Sequence, residues 1–187
     1  MTAPQNKTQH ELLQERAAAV DLLAYHLHLD LSEVLDRPTY RVTTRLELTS
    51  NELFLDYLGE SVAELKVNGT PQEVDFDGSI IRLHGVPVGE ELTIEVTSHS
   101  RYSRTGQGLH RMHDQADDAT YLYSHLEPSD ARRIFPCLEQ PDLKAVFHVR
   151  MTAPKQWQIL SNQPEVERSE DGDLATVTFA PTPPLST

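Results

Sequence analysis

"YHLHLDL", residues Tyr25 to Leu31, sets how the rest of the chain is read. Tyr25, Leu27, Leu29 and Leu31 alternate with His26, His28, Asp30 and Ser32. That period of two gives a strand one apolar and one polar face. The same alternation returns with Val42, Thr44, Leu46 and Leu48 set between Thr43, Arg45 and Glu47. In "ELKVNGTPQEVDFDG", Asn68-Gly69 sits between two short alternating runs, a hairpin signal. "IIRLHG", "ELTIEVTS", "AVFHVRMTA", "WQILSN" and "LATVTFA" add further strand-like runs. About ten short strands, each with one wet face, need a second sheet to cover them. The fold expected is therefore mainly β, an antiparallel two-sheet β-sandwich. Upstream, "TQHELLQERAAAVDLL" reads as a short N-terminal helix, with Thr8 and Glu11 spaced as a capping box and an Ala-rich middle. The organisation expected is a helical segment over residues 1–22 and a sandwich over 23–187. After the last strand, Pro181, Pro183 and Pro184 mark a short tail or the start of a linker.

Composition narrows the function classes. The 187 residues carry 16 Lys and Arg against 29 Asp and Glu, a net charge of −13. A nucleic-acid partner would need a basic stripe, and none is present. No apolar run approaches membrane-spanning length. Cys137 is the one cysteine, so no intramolecular disulfide can form, and a cytoplasmic setting is expected.

"HELLQ", residues 10–14, resembles half of a zinc motif. In H-E-x-x-H, two histidines one helical turn apart bind zinc and the glutamate acts as base. Here the second position is Gln14, and Glu33, at the spacing of a third ligand, ends a strand rather than sitting on a helix. Two plausible ligands do not make a site, so no metal is assigned. His110 and His113 fall in a Gly-rich polar loop and read as solvated. Cys137, between apolar residues and without a histidine partner, reads as an inert buried thiol.

"YLYSHLEPSDARRIFPCLEQPDLKAVF", residues Tyr121 to Phe147, breaks the alternating pattern. Arg132, Arg133, Pro136, Glu139 and Pro141 read as an ion-paired, proline-braced loop pinning one sheet to the other. Glu127 stands apart, because it follows the short strand "TYLYSHL" and precedes a rigid turn. A carboxylate placed there can accept hydrogen bonds from an ammonium group.

These same residues resemble the signature of the N-terminal domain of zinc aminopeptidases of the aminopeptidase N type. The preceding "YSRTGQGLHRMHDQADDATYLY" and the helix followed by "YHLHLDL" are similar to the bacterial branch of that family. The resemblance implies a saddle-like sandwich packed on a thermolysin-like catalytic domain of the same polypeptide. That second domain would carry H-E-x-x-H, its downstream glutamate and G-A-M-E-N, and these 187 residues contain none of them. The resemblance therefore implies zinc in the full-length family, with no cofactor and no catalytic residue in this chain. It also implies that Glu127 binds the free α-amino group at a peptide substrate's N-terminus. His125 stands where the family usually has glutamine, and an imidazole lacks the paired donor and acceptor of an amide. The function expected is substrate anchoring for a hydrolase that removes N-terminal residues. The alternative is a β-sandwich interaction module that works alone.

Overall fold

Alternation fixes which face of each strand leaves water, and one large sheet collects most of those faces. The computed structural model describes residues 9–50, 54–87 and 89–187. Helix α1 covers Gln9–Ala19. The strands are β1 (Val20–Asp30), β2 (Thr39–Ser50), β3 (Phe54–Asp56), β4 (Ser61–Val67), β5 (Thr70–Pro71), β6 (Asp75–Phe76), β7 (Ile80–Arg82), β8 (Glu91–Arg101), β9 (Gly108–Asp114), β10 (Ala119–His125), β11 (Val146–Pro154), β12 (Glu165–Asp171) and β13 (Leu174–Phe179). A 3-10 turn spans Ala131–Arg133. The Thr8–Glu11 capping box lies partly outside the described residues, because Thr8 is not among them.

The large sheet runs β12-β13-β11-β1-β2-β8-β4-β5, beside a three-stranded sheet β3-β7-β6 and the hairpin β10-β9. The fold is the expected mainly β sandwich with a short N-terminal helix. Among the ladders of the described strands, one departs from the antiparallel pattern: β1 and β11 run parallel, Ala24 opposite Val146 through Asp30 opposite Thr152. A parallel pair needs a long crossover, and residues 31–145 supply it. One buried cluster joins Leu46, Ile94 and Leu65 of the large sheet to Leu55 and Ile81 of the small one. Each fully buried side chain of this kind contributes roughly 2 kcal/mol.

β1 begins at Val20, directly after α1, and a β-bulge between Leu22 and Ala24 resets its phase. Leu23 is thrown outward, whereas Ala24 and Tyr25 are both buried. A reader following strict alternation finds the strand only after that bulge. "WQILSN" is not a strand. Trp157 and Ile159 pack on the core from an irregular segment, and Leu160 points to solvent. The C-terminal residues lie against the domain: Ala145 and Leu185 exchange backbone hydrogen bonds of 3.0 and 2.9 Å, and Thr182 N–H donates to Phe147 O at 3.1 Å. No described helix is long and apolar enough to cross a membrane.

Candidate functional site

β10 ends at His125, opposite Gly108 of β9, and the chain then turns sharply. Leu126 packs on the core, while His125 and Glu127 on either side of it are exposed. The Glu127–Pro128 peptide is cis. Asp130 N–H donates back to Leu126 O at 2.7 Å and closes the turn. Asp130 is buried, and its carboxylate accepts from Arg133 Nε at 2.5 Å. Arg132 Nε donates to Ser129 O at 2.9 Å. On the opposite strand Gly108 has φ +63°, and a Cβ there would lie 3.0 Å from Arg133 Cβ. Only glycine lets the hairpin come this close to the 3-10 turn without strain. The Glu127 backbone is thus held on both sides, yet its carboxylate makes no hydrogen bond or ion pair among the described residues.

The residues after Glu127 form a braced loop. Arg133 pairs with Asp130. Glu139 accepts the Arg132 backbone N–H at 2.8 Å. Burial pushes the Glu139 carboxyl above its ordinary value. Ile134, Phe135, Cys137 and Leu138 are core residues. Tyr25 stacks on Phe147 at 4.8 Å, meets Phe135 edge-on at 5.9 Å, and accepts Leu138 N–H at its hydroxyl at 2.9 Å. Cys137 and Asp56 exchange backbone bonds of 2.8 and 3.0 Å, so the block adds an edge to β3. The Asp56 carboxylate accepts Glu139 N–H at 2.9 Å and Arg16 of α1 at 2.7 Å. Burial raises the Cys137 thiol well above its usual range, which keeps it protonated.

The remaining candidates do not converge. The His10 side chain lies outside the described residues, and Gln14 is exposed. His110 and His113 lie on strand β9 rather than in a loop. His110 Nδ1 accepts Gly106 N–H at 3.0 Å, and His113 lies 3.3 Å from Asp118. Among the described residues no three His, Cys, Asp or Glu side chains are grouped to hold a metal ion. One feature escaped the sequence reading: β10 places Tyr121 and Tyr123 on one exposed face, with Met112 opposite Tyr121. The alternation in "YLYSH" was its only signal.

Comparison with known proteins places this geometry. The peptidase M1 N-terminal domain model matches residues 41–187. The chain is 35% identical over 189 residues to aminopeptidase N of Streptomyces lividans, covering 98% of this chain and 22% of that protein. It is 25% identical over 171 residues to probable aminopeptidase 1 of Sulfurisphaera tokodaii, covering 90% and 21%. The chain thus spans about a fifth of the length of these relatives. Among solved structures it resembles an M1 zinc metallopeptidase variant from Deinococcus radiodurans, with TM-score 0.71, 23% identity and coverage of 86% and 38%. A two-domain M1 zinc metallopeptidase variant bound to L-arginine gives TM-score 0.75 at 23% identity, with coverage of 89% and 40%. At that identity the structures speak for the fold alone. With a family match over most of its length, this chain belongs to the peptidase M1 N-terminal domain family.

Proposed function

We propose that this chain is the substrate-anchoring domain of a zinc aminopeptidase, and that Glu127 receives the α-ammonium group of a peptide substrate. The observation that carries the reading is a solvent-facing carboxylate without a partner among the described residues, set on a turn braced by Asp130, Arg132 and Arg133. A preorganised carboxylate makes a charge-assisted contact with a protonated amine, and an internal peptide nitrogen offers no such charge. Zinc chemistry belongs to a catalytic domain outside these 187 residues; this chain's share is recognition of a chain end.

His125 lies two residues away on the same exposed edge. Its imidazole donates or accepts a single hydrogen bond and lacks the paired donor and acceptor of an amide. Side-chain preference at the first substrate residue then differs from what an amide at this position would set. In the full-length polypeptide, Glu127→Ala should raise KM for substrates with a free amine by about tenfold or more, the loss of one charge-assisted contact. An unchanged KM and turnover would end the reading. His125→Gln should change the preference for the first substrate residue, read as kcat/KM across a series of aminoacyl substrates. If that preference stays the same, His125 has no part in binding.

A further inference from the structure

The polar face of the large sheet holds a histidine pair that the substrate reading leaves unused. His26 of β1 lies opposite His148 of β11, and their rings stack with centroids 4.4 Å apart and planes 5° from parallel. This pair sits on the one parallel ladder among the described strands. That ladder joins β12-β13-β11 to β1-β2-β8-β4-β5.

Charge around the pair is unevenly supplied. From β2, Glu47 Oε1 lies 3.2 Å from His26 Nε2, the one carboxylate within ion-pair distance of the rings among the described residues. The same oxygen is ion-paired to Arg45, so its charge is already shared. From β11, Arg150 follows two residues after His148. On β1 itself, His28 and Asp30 follow, and Arg41 of β2 lies 3.9 Å from Asp30. Beyond β11, β13 offers Thr178 opposite Arg150 and Thr176 opposite Thr152. One proton can be balanced by Glu47; a second meets another cation at stacking distance, with no further carboxylate within ion-pair distance among the described residues.

We propose that the His26–His148 pair is a proton-limited catch: the rings hold the β1–β11 junction together with at most one proton between them, and a second proton forces them apart and loosens it. The direction of the His26 shift agrees, since burial and then the neighbouring His148 hold its imidazole below the ordinary value.

NMR titration of this chain from pH 8 to pH 4.5, following both rings and the backbone amides, tests the catch. The expected result is two coupled titration steps separated by about one pH unit or more. Through the second step, amides of the β1–β11 ladder should exchange about tenfold faster after correction for intrinsic rates, while those of the β2–β8 ladder hold steady. His148→Gln should reduce the His26 curve to a single step at higher pH and abolish the selective exchange change. The wild-type titration stands alone should that variant fail to fold. Two independent single-site curves, or coupled steps with no selective change in exchange, would overturn the proposal.

Discussion

Asp56 shows how one side chain can hold a block that sequence patterns only mark as unusual. It ends β3, and its carboxylate joins Arg16 of the N-terminal helix to the Glu139 backbone N–H. Arg16 also lies over the Phe54 ring, 4.6 Å from its centroid. Both partners of the ion pair are largely buried, with side-chain exposures of 10% and 14%. Removing one member of such a pair strands the other charge. Asp56→Ala should therefore cost about 3 kcal/mol, read as a lower urea midpoint at constant slope. Asp56→Asn keeps an acceptor for Glu139 N–H and should cost less. Nothing in the sequence joined Arg16 to Asp56, because the two are far apart in the chain and lie on elements of different type. Glu127 stood out in the sequence for a different reason: its neighbours form a recognisable block, whereas its exposure, with no hydrogen bond or ion pair among the described residues, is a fact of the fold.

At the scale of elements, sequence legibility followed burial. Strands β2 and β8 bury every second residue, so their periodicity is plain. β12 (Glu165–Asp171) is exposed along its whole length at the edge of the sheet. It has no apolar face to advertise it, and its charges suit an unpaired edge. β9 was read as a polar loop because most of its side chains are wet; its partner β10 and the Ser103–His110 bridge hold it as a strand. The turn signals were more dependable. Asn68 and Gly69 have φ of 49° and 75°, the two positive values a tight primed turn requires between β4 and β5. A methyl group on Gly69 would meet nothing within 4 Å. Gly69→Ala should thus carry only the backbone cost, about 1 kcal/mol. Gly108→Ala adds the 3.0 Å approach to Arg133 Cβ and should cost more. It should also shift the His125–Asp130 resonances, because it presses the hairpin away from the turn. Equal losses for the two variants in urea denaturation would show that the hairpin contact carries no weight.

For the whole molecule, the sandwich class and the helix-then-strand order were readable, whereas the parallel β1–β11 pairing was not. Each strand's own alternation is indifferent to its partner's direction. The pH dependence of stability likewise emerges only from the assembled fold. His26 and His28 are held below their ordinary values, both mainly by burial; His148 adds to this at His26 and Arg150 at His28. The unfolded chain takes up those protons first as pH falls through about 6.5, so their contribution is complete above that value and is lost below it. Glu139 has the opposite sign. Burial raises its carboxyl, so the folded state keeps that proton to higher pH, and stability falls as pH rises through the folded value. His28→Gln should therefore flatten the decline in thermal stability between about pH 7 and pH 5.5. Glu139→Gln keeps an acceptor for the Arg132 N–H but removes the ionisation. It should be more stable than the parent chain at pH 7, with the difference vanishing toward about pH 3.5, where the unfolded carboxyl is protonated as well. A Glu139→Gln variant that is weaker at pH 7 and no weaker at pH 3.5 would mean that the ionised carboxylate is favoured by the fold, and that the hydrogen bond from Arg132 outweighs burial.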